Sequence, residues 1–213
     1  MPELLQKIID DHSLYAIWKI SESVDQLRSA IILRESEETL YYSFVAESRK
    51  KQWLAYRILV RELLKPDEFP VEYDTSGKPF LAGSDFHISV THTDDLAAVI
   101  ISRHAKVGID IERIRPRIEK VRDKFINEEE SSLIGKEREL EQLTLAWCAK
   151  EALYKLYGLR NLDFRENICV EIPASAGMTF KAEIRFGGKI DKYQLYSELI
   201  GSYILVYLLD TAI

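Results

Sequence analysis

The decisive stretch of this sequence is Val107-Gly108-Ile109-Asp110-Ile111-Glu112. Its alternation predicts a β-strand, because successive side chains of a strand point to opposite faces. Ile109 and Ile111 would face a core, while Asp110 and Glu112 would project together on the other side. Adjacent carboxylates repel each other unless a positive group lies between them. Taken alone, the stretch favours an exposed strand end, with a divalent-cation site as the alternative.

A second informative stretch is Trp147-Cys148-Ala149-Lys150-Glu151-Ala152-Leu153-Tyr154-Lys155. It lies in a predicted helix, Leu140–Tyr157, that ends at Gly158. Trp147, Glu151 and Lys155 recur every four residues and therefore share one helix face. The stretch alone favours core packing of the tryptophan beside a surface ion pair of Glu151 and Lys155. The alternative makes Glu151 a third metal ligand and places Lys155 beside a bound phosphate.

Two weaker motifs precede the strand. In the turn Gly77-Lys78-Pro79, glycine lets the backbone approach a ligand and lysine supplies a charge suited to phosphate. Such turns are common by chance. The segment His87–Thr93 carries hydroxyl side chains on one side and His92 near its end. A single histidine at such a place is more often a hydrogen-bonded loop residue than a functional group.

The remaining sequence predicts helices and strands in both halves. In the first half these are a helix at Arg49–Leu64, stopped by Pro66, and strands at Leu14–Ile20, Phe86–Val90 and Leu96–Ser102. In the second half they are short helices at Ile118–Ile126 and Glu128–Ile134, and strands at Asn167–Ile172, Thr179–Arg185, Lys192–Leu199 and Tyr203–Leu208. The order predicts an α+β fold with antiparallel sheets.

The composition narrows the class of protein. The 213 residues allow one domain or two small halves, and 46% hydrophobic with 30% charged residues is typical of globular chains. A net charge of −6 argues against nucleic acid as a partner. The longest apolar runs, Leu96–Ile101 and Tyr203–Leu209, are too short to span a membrane, and no signal peptide is predicted. With only Cys148 and Cys169, no disulfide framework is predicted, and we expect a cytoplasmic protein with no membrane partner.

Taken in order, the motifs resemble the two-part signature of the 4′-phosphopantetheinyl transferase superfamily. That signature is a Gly-x-Asp strand followed by a Trp/Phe-Ser/Thr/Cys-x-Lys-Glu-Ala/Ser-x-x-Lys helix. Gly108 and Asp110 match the first part, and the residues that match the second are Trp147, Cys148, Lys150, Glu151, Ala152 and Lys155. The length of the chain and the presence of Glu112 resemble the single-chain, Sfp-type branch of that superfamily.

The resemblance implies a fold and an activity. The fold would be two similar α+β subdomains with antiparallel sheets, pseudo-twofold related, over residues 1–106 and 107–213, with the active site at their interface. The activity would be transfer of 4′-phosphopantetheine from coenzyme A to a serine of an apo acyl or peptidyl carrier protein, giving holo carrier and 3′,5′-ADP. The enzyme would be of the holo-acyl-carrier-protein synthase type and a monomer. A metal-dependent phosphodiester or pyrophosphate hydrolase, and an inactive carrier-binding module, stay as alternatives.

The resemblance also implies roles for individual residues. Asp110, Glu112 and Glu151 would hold Mg²⁺, with Mn²⁺ as an alternative; Glu151 would also be the general base, and Lys155 would act on the pyrophosphate. The residues implied to bind coenzyme A, the co-substrate, are Arg49, Lys51, Lys78, Pro79, Thr91, His92 and Lys155. Lys150 is also expected among the basic residues around the phosphate groups of coenzyme A.

Two segments depart from the family pattern. Basic residues are usual ahead of the first long helix, but Glu35–Thr39 is acidic, and Arg49–Lys51 could replace them or form a solvated helix end. The register of Ser89–His92 stays open by one residue. For the carrier protein we expect a hydrophobic contact or a local basic patch at Lys120–Phe125, with Arg122, Lys124 and Phe125 as candidates, because the chain is acidic overall.

Overall fold

The computed structural model describes residues 4–65, 69–158 and 161–210. Its contacts divide the chain into two compact units, one of residues 1–72 and 79–104 and the other of residues 73–78 and 105–213. The second unit thus begins two residues before the boundary expected from the sequence. It also includes the segment Tyr73–Lys78. No helix within the described ranges is both long and apolar enough to cross a membrane.

The first unit is built on a four-stranded antiparallel sheet. In spatial order its strands are β1 (Leu4–Asp10), β2 (Ser13–Lys19), β6 (Leu96–Ser102) and β5 (His87–His92). Its longest helix is α3 (Glu47–Leu64), whose Trp53, Leu54 and Leu59 are buried in one core with Val99 and Ile101 of the sheet. The elements that complete this region are α1 (Val24–Ser29), α2 (Glu35–Ser43) and a small sheet of β3 (Val71–Tyr73) and β4 (Pro79–Leu81).

Several elements of this region had no clear sequence signal. Strand β1 carries exposed Leu5 and Ile8, so it shows no clean apolar face, and its pairing with β2 defines it instead. Helix α1 is short and begins at Ser23, whose capping box with Gln26 satisfies the free amides of its first turn. Pro66, predicted to stop α3, lies outside the described residues.

The second unit carries the two motif stretches on neighbouring elements. Its antiparallel sheet has the order β7 (Val107–Arg113), β11 (Tyr203–Leu209), β10 (Lys189–Ile200), β9 (Thr179–Phe186) and β8 (Ile168–Val170). Helix α5 (Glu139–Tyr157) packs on β7 and β11 and ends at Gly158, whose φ of 75° is left-handed. The predicted α+β fold with antiparallel sheets is confirmed.

The segment between β7 and α5 differs from its prediction. The helix expected at Ile118–Ile126 is a 3₁₀ helix, Pro116–Lys124, with no fully buried side chain. Its Ile118 and Val121 pack against the core of this unit but are only partly buried. Helix α4 (Glu128–Ser131) is shorter than expected and starts at a capping box of Asn127 and Glu130. A second short 3₁₀ helix, Lys136–Arg138, leads into α5.

Candidate active site

Strand β7 lies directly against α5 because Gly108 has no side chain. A Cβ at this position would lie 2.9 Å from the backbone carbonyl carbon of Ala152 and 2.9 Å from Cδ2 of Leu208, and it would overlap the Ala152 carbonyl oxygen. No real Cβ atom approaches that closely. Glycine in the strand therefore lets the backbones of strand and helix touch. This contact brings Asp110 of β7 to Lys155 of α5.

Asp110 and Lys155 form the central ion pair of the site. Nζ of Lys155 donates to Oδ1 of Asp110 at 2.7 Å and to the carbonyl oxygen of Ile109 at 3.1 Å. The side chain of Asp110 is 5% exposed, whereas that of Lys155 is 26% exposed. Water thus reaches the lysine but scarcely the carboxylate. The ammonium group links the helix to the strand through a charge-assisted hydrogen bond.

Glu112 and Glu151 share the electrostatic surroundings of this ion pair. Burial, together with the nearby charges of Asp110 and Glu151, raises the pKa of Glu112 to about 7, while Lys155 opposes the rise. Burial and the charge of Asp110 also raise the pKa of Glu151, again against the effect of Lys155. The fold therefore brings the carboxylates of Asp110, Glu112 and Glu151, here called the carboxylate cluster, into mutual repulsion around one lysine.

The carboxylate cluster fits a hard divalent cation by its donor chemistry. Its ligand atoms are carboxylate oxygens, which Mg²⁺ and Mn²⁺ prefer, and burial together with its excess negative charge raises the pKa of two of its members. The side chains are not arranged as a finished metal site. Throughout the described ranges, no group of three or more His, Cys, Asp or Glu side chains is placed to hold a metal ion. One oxygen of Asp110 instead accepts from Lys155.

Trp147 leads a row of aromatic side chains on the same face of α5. Its ring lies 5.2 Å from that of Phe125 and 5.6 Å from that of Phe164, which in turn is 5.5 Å from the ring of Tyr154. Trp147 is half-buried and packs against the core of this unit, as the helix stretch taken alone favoured. Trp147 lies one helical turn before Glu151 along α5, and Tyr154 lies three residues after it.

Lys150 was expected near polyphosphate, and that prediction is wrong. Its side chain is fully buried, and Nζ donates to the carbonyl oxygens of Phe125 at 2.6 Å, Phe164 at 2.8 Å and Ile168 at 2.7 Å. The carboxylate of Glu130, also fully buried, lies 2.8 Å away. These buried partners replace the lost water of a charged group. Lys150 therefore joins α5 to three other segments and faces no ligand.

The expected carrier contact at Lys120–Phe125 is altered in two places. Phe125 is fully buried against Trp147 and offers no surface. Arg122 donates to Glu139 at 2.6 Å and to Ser131 at 2.8 Å, so its guanidinium holds the 3₁₀ segment to neighbouring elements. Lys120 and Lys124 are exposed. The basic surface of this segment is thus carried by the two lysines.

The residues expected to bind coenzyme A lie in both units. In the first, Nη1 of Arg49 lies 2.8 Å from Nε2 of His92, to which it donates when that nitrogen is unprotonated. Thr91 is buried in β5, Lys51 is half-buried on α3, and Pro79 begins β4.

Lys78 belongs to the second unit, where its ammonium group donates a hydrogen bond to a carbonyl group in the last turn of a helix. Its Nζ donates to the carbonyl oxygen of Leu156 at 3.1 Å, in the last turn of α5. A cation there interacts favourably with the helix dipole. Burial, with the nearby charge of Lys106, lowers the pKa of Lys78.

Glu130 was not singled out in the sequence, and Ala152 was named there only as a position of the helix motif. Glu130 accepts from Lys150 and from the backbone amide of Val170 at 2.9 Å, and its signal was the capping box Asn127-x-x-Glu130. Ala152 provides the close contact with Gly108, and a glycine inside a predicted strand is the signal of such an approach. Cys148 is buried and donates to the carbonyl oxygen of Ile204 at 3.5 Å.

Comparison with known proteins finds a match for the segment that carries both motif stretches. Residues 106–208, which contain both motif stretches, match the model of the family described as "ACPS: 4′-phosphopantetheinyl transferase superfamily". The resemblance found in the sequence is thus confirmed over this segment, which is similar to that superfamily.

Individual relatives carry the same description. The 4′-phosphopantetheinyl transferase AcpT of Salmonella typhi is 34% identical over 116 residues, which are 52% of this chain and 60% of AcpT. The 4′-phosphopantetheinyl transferase HetI of Nostoc sp. is 24% identical over 160 residues, 67% of this chain and 68% of HetI. The chain thus spans about three fifths of the length of the AcpT relatives it matches.

Proposed function

We propose that this protein transfers the 4′-phosphopantetheine group of coenzyme A to a serine hydroxyl of an apo carrier protein. The supporting observation is the meeting of Asp110, Glu112, Glu151 and Lys155 where β7 touches α5, inside the segment that matches the superfamily. Carboxylates and one mobile lysine are the groups that phosphoryl-group transfer requires for charge neutralisation and proton transfer.

The reaction exchanges one phosphorus–oxygen bond for another. The serine oxygen bonds to the phosphorus that bears the pantetheine arm, and the bond from that phosphorus to the bridging oxygen breaks. That oxygen leaves on 3′,5′-ADP. Glu151 accepts the serine proton, directly or through one water molecule.

Asp110, Glu112 and Glu151 are the residues that would hold a divalent cation, Mg²⁺ or Mn²⁺. When bound, the cation supplies neutralisation of the charge on the pyrophosphate oxygens. Lys155 supplies a second positive charge to the phosphate that leaves. A lysine ammonium group is suited to this role because it is a compact charge on a flexible stem.

The remaining coenzyme A contacts are assigned to basic and hydroxyl side chains of the first unit and to Lys78. The pairing of Arg49 with His92 supports an anion site for the 3′-phosphate, since both groups can donate to phosphate oxygens when the imidazole is protonated. Lys51, Pro79 and Thr91 would frame the nucleotide. The partner would be an acyl or peptidyl carrier protein, met at Lys120 and Lys124 by an acidic surface.

The test is transfer to a panel of apo carrier proteins, read by mass spectrometry. With coenzyme A and Mg²⁺, the carrier should gain the mass of one phosphopantetheine group. Glu151→Gln should abolish most of that gain, and Glu171→Gln, an exposed carboxylate of the same unit, is the matched control.

Four outcomes would contradict the proposal or one of its parts. No mass gain on any carrier, under conditions where a known relative works, removes the transferase activity. Breakdown of coenzyme A without a carrier would indicate a hydrolase, and carrier binding without transfer at any metal concentration would indicate a binding module. Near-full activity of Glu151→Gln would remove the role of Glu151 as base.

A further inference from the structure

The ammonium group of Lys155 takes the place of a cation in the carboxylate cluster. It donates to Oδ1 of Asp110 at 2.7 Å and to the carbonyl oxygen of Ile109 at 3.1 Å. The side chain of Asp110 is 5% exposed, so this ammonium group is the partner of a buried carboxylate. A positive group at this point offsets the mutual repulsion of the carboxylates.

We propose that Lys155 is an internal counterion that a divalent cation must displace from Asp110, and that the displaced ammonium group then binds phosphate. The second half of this statement rests on the proposed function. The first half concerns the chain alone, without coenzyme A or a carrier protein.

Lys155 and a divalent cation would compete for one carboxylate oxygen of Asp110. An oxygen of Asp110 that accepts from Lys155 has to give up that hydrogen bond before it can ligate a cation at full strength. If the engaged form makes up ~90% of the molecules, the apparent affinity for metal is weakened about tenfold. The absence of a finished metal-binding group within the described ranges agrees with a cluster that is closed by its own lysine.

The side chain of Lys155 can be released from its acceptors at low cost. Its side chain is 26% exposed, and its two acceptors are both on β7, so that release costs one ion pair and one hydrogen bond. Lys150, on the same helix, is fully buried with acceptors on several segments. Only Lys155 of these two can exchange its partners for water or phosphate without exposing a core.

Mn²⁺ binding in the absence of coenzyme A tests the displacement. Mn²⁺ alone is titrated into the protein, and free Mn²⁺ is measured by electron paramagnetic resonance. Lys155→Met should bind Mn²⁺ about tenfold more tightly than the native chain. Lys155→Arg, which keeps the positive charge, should show no gain. Lys181→Met, at an exposed lysine of β9, is the control and should leave the affinity unchanged.

A second measurement follows the ammonium group itself. The ¹⁵N signal of the Lys155 ammonium group, assigned by its loss in Lys155→Met, should shift when Mg²⁺ is added to the native chain. Lys155→Gln provides another neutral variant if Lys155→Met does not fold.

The results separate the two proposals. Unchanged or weaker Mn²⁺ affinity in both neutral variants, or an ammonium signal that saturating Mg²⁺ does not move, overturns the displacement. Loss of transfer without a change in Mn²⁺ affinity also overturns it but leaves Lys155 as a phosphate ligand of the proposed enzyme. Absence of Mn²⁺ binding in every variant overturns the displacement and the proposed metal site together.

Discussion

Lys150 and Lys155 belong to one sequence motif on one helix, yet their surroundings differ completely. Lys150 is fully buried and donates to three carbonyl oxygens beside the carboxylate of Glu130. Lys155 is 26% exposed and holds a single carboxylate, that of Asp110. Two identical side chains of one motif can therefore have different roles. One stabilises the fold, and the other lies at the proposed active site. Burial and the number of acceptors separate the two roles.

The largest expected effect is the loss of stability in Lys150→Met. Removal of the ammonium group leaves the buried Glu130 carboxylate without its ion-pair partner, and breaking a buried pair costs about 3–5 kcal/mol. Urea denaturation would measure the free energy of unfolding. In Lys150→Met/Glu130→Gln, part of that loss should be recovered because no charge remains unpaired. If Lys150→Met is as stable as the native chain, the buried ion pair with Glu130 does not stabilise the fold.

The next effect, in Lys155→Met, should fall on catalysis. Loss of one charge that stabilises a transition state lowers kcat by about 10²–10³. The partly exposed ion pair should contribute only about 1 kcal/mol to the free energy of unfolding. Transfer kinetics and urea denaturation of the same preparation would check both values. A variant that lost stability as severely as Lys150→Met would erase the distinction between the two lysines.

Gly108→Ala tests the contact that brings Lys155 to Asp110. The new methyl group meets the backbone of Ala152, which cannot rotate away, so strand and helix must separate. Overpacking of this kind costs about 1–3 kcal/mol of stability. Transfer should fall as well, because Asp110 moves with the strand. Gly187→Ala, in an open turn of the same unit, provides a control for stability alone, although its φ of 60° adds some backbone strain.

The smallest effect is the pH dependence of stability from Glu112. Its pKa is about 7 in the folded chain, above the ordinary value of 4.5, so folding favours the protonated form. The free energy of unfolding should therefore be highest below about pH 4.5 from this group and fall as the pH rises towards 7. Denaturation of the metal-free protein across this range, compared with Glu112→Gln, isolates the contribution. Parallel curves for the two proteins would contradict the pKa assigned to Glu112.

Local sequence patterns predicted much of the fold and of the candidate site. Helix α5 and its end at Gly158, and the strands β6 and β7, follow from periodicity and glycine, which act within a few residues. Strand β1 did not follow, because its pairing with β2 defines it rather than an apolar face. The local pattern also did not separate the 3₁₀ geometry of the segment after β7 from an α-helix. Patterns of this kind cannot report a partner that is distant in sequence.

The sequence by itself determined which residue types could carry the chemistry: the acidic pair of β7 and the Lys-Glu motif of α5. Only the tertiary structure decided their partners. The touching backbones at Gly108 and Ala152 bring Lys155 to Asp110, while the fully buried pocket around Lys150 joins it to Glu130. The physical reason is that a charge takes its role from the groups that replace its water, and those groups come from segments far apart in the chain.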